Sequence, residues 1–192
     1  GTGTAYFGEG ESLVAEVVDN TTSRGRIITF LFDGTKEEFA QRLHDLGEVP
    51  LPRFLNRPID EEDEHRYQTI YAEHVGAVAA PTAGLHISRE LLKRFEIKGV
   101  NVGFITLHAG LGNFQRIEVE DLSKHKAASE QFEIPEVTEQ LINTSLDAGK
   151  NVCAVGTTVI RALESSVTTD ARVKAISSWT NKFIFPPYQV QV

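Results

Sequence analysis

Cysteine is almost absent: the 192 residues hold one, Cys153. A single cysteine excludes an internal disulfide framework and fits a reducing cytoplasm. Cys153 sits inside the apolar run 152–155, so we expect a small core residue there and not a nucleophile. Methionine is missing altogether. With Gly1-Thr2-Gly3 at one end and an extended apolar stretch closing on Gln191-Val192 at the other, this points to a fragment of a longer chain. No apolar run is long enough to span a bilayer and none has the pattern of a signal peptide. A cytoplasmic protein without membrane association is therefore expected. The six histidines and one cysteine show no HExxH or CxxC spacing, so no metal is expected. There is no GxSxG elbow, which speaks against a Ser-His-Asp hydrolase. Neither Walker spacing nor a GxGxxG fingerprint is present. Positive charge is scarce too. The net charge of -8 argues against nonspecific nucleic-acid binding but leaves room for a local basic patch.

What is present reads as a globular chain of one domain, or one domain and a piece of another. Its 41% hydrophobic and 24% charged residues are ordinary for that class. Segments 12–18 and 26–32 read as strands, with turn chemistry at Asp19-Asn20 and Arg24-Gly25. A helix follows, with Thr35 as N-cap and Glu38 as its capping-box partner. Phe39, Leu43 and Leu46 form its apolar stripe and Gly47 ends it. The stiff stretch Val49-Pro50-Leu51-Pro52, with Pro58 beyond, marks a domain boundary. Residues 1–50 are then a β-rich domain with one helix, and 51–192 a second domain.

In that second domain helices and strands alternate. Residues 60–71 read as a helix with acidic residues in its first turn, where the helix dipole favours them. Ser88 caps a helix carrying Leu91, Leu92 and Phe95, stopped by Gly99. Pro135 opens another, with Val137, Leu141 and Leu146 inward and Gly149 at its end. A further helix spans 159–166. Runs 76–80, 100–107, 152–155 and 177–185 read as strands. Such alternation predicts an α/β fold of right-handed βαβ units around a parallel sheet.

Three loops follow apolar runs: Pro81-Thr82-Ala83-Gly84-Leu85-His86, His108-Ala109-Gly110-Leu111-Gly112-Asn113-Phe114, and Gly156-Thr157-Thr158. Ligands of parallel α/β sheets bind at the carboxyl ends of strands, so one site built from all three loops is expected. At Gly156-Thr157-Thr158 the free N–H groups of a helix start and two hydroxyls suit a carboxylate or phosphate. The alternative there is an ordinary turn with threonine capping. Arg161 and Glu164, three apart on the following helix, are expected to pair. Gly110 and Gly112 permit close approach of a ligand. His86 and His108 each follow the end of a strand run, which raises the odds that one faces a ligand. His125, Lys126, Ser129 and Glu130 form a polar cluster, read as a solvated loop.

At this point several strings resemble one family. They are Tyr67-Gln68-Thr69-Ile70-Tyr71, the run GAVAAPTAGLH over 76–86, Thr106-Leu107-His108-Ala109-Gly110-Leu111-Gly112, and Ala154-Val155-Gly156-Thr157-Thr158 with Arg161, Leu163 and Glu164. Together with Pro50-Leu51-Pro52 and Arg57-Pro58, they resemble the S-adenosylmethionine:tRNA ribosyltransferase-isomerases of queuosine biosynthesis. The resemblance implies an α/β, barrel-like domain with a parallel sheet and part of a smaller inserted β-barrel domain. It implies transfer and isomerisation of the ribosyl part of S-adenosylmethionine onto 7-aminomethyl-7-deazaguanine at the tRNA wobble position. Epoxyqueuosine forms, and adenine and methionine leave. S-adenosylmethionine enters as the ribosyl-donating substrate; tRNA is the partner, and a monomer is expected.

By the same resemblance His86, His108 and Glu130 are the candidates for proton transfer. Thr82 and Thr106 would orient ribose hydroxyls. Gly84, Gly110, Gly112, Gly156, Thr157, Thr158 and Arg161 would line the substrate site. Arg89, Lys93, Lys98, Lys124 and Lys126 would meet tRNA phosphates. The chain departs from the family at three places. Asn113 stands where HxGxGTF has threonine. Ala127 and Ala128 stand where HxMHSE-like or HxMDSE-like stretches have methionine and a polar residue. The family's N-terminal segment and a TNFHLP-like stretch are not found. These departures leave two alternatives: an incomplete copy of an active enzyme, or a paralogue that binds tRNA or an adenosyl ligand without this catalysis.

Overall fold

The computed structural model describes residues 3–10, 12–20, 26–114 and 116–192. The chain divides into two compact units, Gly1–Val49 and Pro50–Val192. The division falls at the first proline of Pro50-Leu51-Pro52.

In the first unit β1 (Thr4–Phe7), β2 (Leu13–Asn20) and β3 (Arg26–Leu31) form an antiparallel sheet in that order. The central strand buries Leu13 and Ala15. The turn expected at Asp19-Asn20 is instead strand: Asp19 pairs with Ile27 and Asn20 with Arg26. A register shift between Val17 and Asp19 lets the strand bend there without ending, which is what a bulge does. The turn expected at Arg24-Gly25 lies outside the described residues. Helix α1 (Lys36–Leu46) opens with both halves of its capping box. Glu38 N donates to Thr35 Oγ1 at 3.2 Å and Thr35 N to Glu38 Oε2 at 2.7 Å, so two end groups satisfy each other. Phe39 fastens the helix to the β3 side, with ring centroids 5.1 Å from Phe30 and 5.4 Å from Phe32.

The second unit holds α2 (Asp63–Arg66), α3 (Arg89–Ile97), α4 (Glu136–Asp147) and α5 (Thr157–Ser166). Its strands are β4 (Thr106–Leu107), β5 (Glu130–Ile134) and β6 (Ile176–Thr180). Helix α2 is much shorter than the expected 60–71. What holds it is Asp63, fully buried, which accepts from both Arg57 Nη1 at 2.7 Å and Arg57 Nη2 at 2.6 Å. Ser88 caps α3 as its position suggested, with Leu91 N donating to Ser88 Oγ at 3.2 Å. In α4 the inward residue of the first turn is Thr138, not Val137, which is 65% exposed. Thr138 Oγ1 donates to Phe104 O at 2.7 Å, and a helix cannot turn both neighbours to one face. Asn143, further along α4, brackets Val173: Nδ2 donates to its carbonyl at 2.8 Å and Oδ1 accepts from its amide at 3.1 Å.

The core of this unit is Phe132 and Ile134 of β5, Ala162 and Leu163 of α5, and Val173. Strand order is β4-β5-β6, and both pairings are antiparallel. We expected parallel pairing, with strands at 76–80, 100–107 and 152–155. Among the described residues 76–80 and 152–155 carry no strand, and 100–107 yields only Thr106–Leu107. An apolar run shows that a segment is extended and coverable; it does not encode its partner or direction. Cys153 is exposed for the same reason: its segment pairs with no strand, so nothing closes over it. No helix among the described residues is long and apolar enough to cross a membrane.

Candidate active site

Strand β5 alternates. Glu130, Phe132 and Ile134 are buried, and Gln131 and Glu133 are exposed, the period of two that a pleated strand imposes. Glu130 is therefore not part of a solvated loop. It is 3% exposed, because strand register carries it to the core face. There Glu130 Oε1 accepts from Gly110 N at 2.7 Å and from Asn113 Nδ2 at 2.8 Å. Its other oxygen pairs with the guanidinium of Arg161. Burial pulls the pKa of Arg161 below the usual arginine value. A buried carboxylate is tolerable only when its charge is matched: Arg161 matches the charge, Gly110 and Asn113 fill Oε1, and Oε2 relies on the ion pair without a hydrogen bond.

Arg161 thus pairs with Glu130 and not with Glu164. The expected pairing three residues apart assumed a solvated helix face. Glu164 is 3% exposed and serves another segment. It accepts from Tyr188 Oη at 2.7 Å, Gln191 N at 2.9 Å and Val192 N at 3.1 Å. Donating to that carboxylate pushes the Tyr188 phenol up to about 12.

The run leading into the first loop meets the second loop, and the start of α5 lies beside the first. Val78 N and Ala79 N both donate to Ala109 O, at 2.7 and 3.1 Å. The backbone at Gly76 runs over the His108 imidazole. A Cβ at Gly76 would lie 2.6 Å from His108 Nδ1, and its φ of +151° suits glycine. Gly156, at the start of α5 with φ +111°, lies beside the first loop; a Cβ there would be 4.0 Å from Ala83 Cβ. The Glu130–Arg161 pair then ties α5 to the loop of Gly110 and Asn113. The Gly156-Thr157-Thr158 start carries no side-chain cap, so the alternative of threonine capping does not occur. Gly84 is buried against Tyr71, whose hydroxyl a Cβ would meet at 2.4 Å.

Two departures from the family pattern find a structural place. Asn113 donates to Glu130 and, at 3.2 Å, to Gly110 O. Ala128 packs on Gly112, whose Cβ would come within 2.8 Å of the alanine methyl. Ala127 is half-buried, and nothing in the structure explains it.

Leu107 lies opposite Phe132, and Thr106 opposite Glu133; His108 N donates to Gln131 O at 2.9 Å. By alternation Thr106, His108, Gln131 and Glu133 share the sheet face away from the core. With Glu73, His74 and Val75 they line a cleft of about 340 Å³. His108 and Glu130 consequently project from opposite faces and are linked only through the loop between them. His86 and Thr82 are exposed on the first loop. Sequence reasoning missed Glu73, His74, Gln131 and Glu133. The period of β5 was a usable signal for Gln131 and Glu133; Glu73-His74 gave none. Among the described residues no three His, Cys, Asp or Glu side chains are grouped to hold a metal ion.

The basic candidates Arg89, Lys93, Lys98, Lys124 and Lys126 are all exposed. Lys93 pairs with Glu96 at 2.8 Å and Lys124 with Asp121 at 3.6 Å, surface contacts that cost little to exchange. His125 is not free in solvent: its ring centroid is 4.6 Å from that of Phe183.

A polar cleft thus lies on the outer face of β4 and β5, while the buried Glu130–Arg161 pair on the core face ties the start of α5 to a glycine-bearing loop. Known proteins narrow the class. The family described as Queuosine biosynthesis protein matches residues 2–192. The chain is 58% identical over 187 residues to a protein of Phocaeicola vulgatus, covering 97% of this chain and 53% of that protein. It is 60% identical over 188 residues to one of Bacteroides fragilis and 58% identical over 187 to one of Cytophaga hutchinsonii, with the same coverage. All three are named S-adenosylmethionine:tRNA ribosyltransferase-isomerase. The chain belongs to the queuosine biosynthesis protein family, and spans about half the length of these relatives.

Proposed function

We propose that the intact protein transfers and isomerises the ribosyl part of S-adenosylmethionine onto 7-aminomethyl-7-deazaguanine in a tRNA anticodon. Epoxyqueuosine is formed, and adenine and methionine are released. The observation that carries this is the buried brace Gly110–Glu130–Arg161, which ties two of the family strings together, with the third beside Gly156 and Ala109. The relatives' names support the reaction type.

The positions of the side chains support particular roles within this proposal. His108, half-buried at the cleft, and His86, exposed on the neighbouring loop, move protons: one is removed beside the sulfonium, and departing adenine is eased by one. Glu130 has both oxygens engaged, so it positions the loop of Gly110 and does not exchange protons with substrate. The start of α5, with Thr157, Thr158 and Arg161, takes a carboxylate or phosphate. Thr82 and Thr106 orient hydroxyls. The exposed cations on α3 and at 124–126 meet tRNA phosphates. For the whole protein we propose the parallel, barrel-like α/β domain. The exposed apolar side chains of Val78, Val100, Val102, Phe104 and Val155 are what further strands would cover. A binding-only paralogue is not favoured, since Asn113 and Ala128 are absorbed into the same loop packing.

The test is mass spectrometry of the tRNA after incubation of the intact protein with S-adenosylmethionine. Epoxyqueuosine together with stoichiometric adenine is the expected result. Unmodified tRNA with a folded, ligand-binding protein would overturn the proposal in favour of the binding-only paralogue.

A further inference from the structure

The cleft on the outer face of β4 and β5 has an unusual charge balance. Glu73 and Glu133 line it, and no lysine or arginine does. Among the described residues neither carboxylate has a hydrogen-bond donor or a cation as partner. Two unpaired carboxylates in a concave site focus negative potential and draw in cations. The side chains are not grouped for a metal ion, so the fitting occupant is an organic cation. A volume of about 340 Å³ lies at the small end of the range for ligand sites. Thr106 and Gln131 supply a hydroxyl and an amide that both donates and accepts, the complement of a heterocycle's edge. His74 and His108 supply imidazoles, and the backbone at Gly76 holds the second of these in place.

We propose that this cleft, through Glu73 and Glu133, binds the primary ammonium of the acceptor base, its aminomethyl group, with Gln131 and Thr106 on the base edge. The inference rests on the reaction proposed above and assigns one of its substrates to one surface. An alkylammonium has no lone pair and cannot attack carbon. Here its N–H bond breaks and an N–H bond forms on the His108 imidazole, leaving a neutral amine and an imidazolium. The carboxylate of the donor is then left to the start of α5.

The experiment uses the intact protein and two anticodon stem-loops. One carries 7-aminomethyl-7-deazaguanine; the other carries the neutral 7-cyano analogue. Binding of each is measured for wild type, Glu73→Gln, Glu133→Gln and the double variant, with binding of S-adenosylmethionine measured alongside. Both glutamates are exposed, and circular dichroism confirms that the variants fold. The double variant is expected to lose about tenfold or more in affinity for the aminomethyl stem-loop. The cyano stem-loop and S-adenosylmethionine should stay within about twofold, which is under half a kcal/mol. Equal loss for both stem-loops, or no loss for either, overturns the inference. Loss confined to S-adenosylmethionine also overturns it and gives the cleft to the donor's cation. A wild type that prefers the aminomethyl stem-loop through these glutamates yet makes no epoxyqueuosine would overturn the proposed reaction and leave the cleft assignment standing.

Discussion

Glu130→Ala is the most informative single change to stability. It removes the acceptor of Gly110 N–H and of the Asn113 amide and leaves Arg161 without its counter-ion. Breaking a buried ion pair from one side costs about 3–5 kcal/mol, because the remaining charge stays in a site it cannot leave. Each orphaned donor adds about 1–3 kcal/mol on its own, and the terms overlap because they share one carboxylate. We therefore expect a loss of about 3–5 kcal/mol. Glu130→Gln keeps an acceptor for Gly110 but leaves the same unpaired Arg161 charge, now facing an amide NH2, so its expected loss is also about 3–5 kcal/mol. The assay is urea unfolding of the intact protein, following the domain that carries Glu130. With a slope of about 2 kcal/mol per molar, the midpoint should fall by about 2 M for the alanine variant. Combining Glu130→Ala with Arg161→Ala should recover about 0.5–3 kcal/mol of coupling. An alanine midpoint within about 0.3 M of wild type, or strict additivity of the two changes, would refute the brace.

Other consequences are equally direct. The Arg57 guanidinium holds Asp63 at about 2 against an ordinary 3.8, so its contribution to stability is complete above about pH 4 and is lost as pH falls towards 2. Unfolding free energies from pH 5 to 2 should show this fall, and Asp63→Asn should flatten it. Ultraviolet titration should find Tyr188 ionising near 12, and Glu164→Gln should bring it back towards 10, the ordinary value. Lys93→Glu with Lys126→Glu should weaken tRNA binding and reduce its log–log salt slope by about 0.7 for each lost phosphate contact; an unchanged slope would remove both from the footprint.

Local signals in this chain were readable because they are complete in a few residues. Thr35 with Glu38, and Ser88 before Leu91, carry their partners within one helical turn, so cap chemistry alone locates α1 and α3. What failed was whatever depends on a distant partner. The apolar runs at 76–80 and 152–155 carry the composition of strands but not the identity of a neighbour, and the pairs actually formed are antiparallel. The expected 60–71 helix is only Asp63–Arg66, and its buried first residue, Asp63, answers to Arg57, six residues back. For the site, the loops were legible as strings of glycine, histidine and threonine. Glu130 was not, since its polar neighbours suggested solvent; only its period with Phe132 and Ile134 reveals the inward register. Arg161 was matched to its helical neighbour Glu164, and no local rule could show that both side chains are claimed by partners at least 24 residues away in sequence. The cleft residues Glu73 and His74 lie in an irregular segment, where no period applies.

The most direct test of the site is adenine release by the intact His108→Ala protein, expressed per folded enzyme and set beside a thermal melt. His108 stands at the cleft under the backbone of Gly76, and no side-chain hydrogen bond among the described residues makes it part of the scaffold. Removing a positioned acid–base group costs about 100- to 10,000-fold in rate. We predict a loss of that size with a melting temperature close to wild type. Near-normal adenine release from a well-folded variant would contradict the placement of proton transfer at this imidazole.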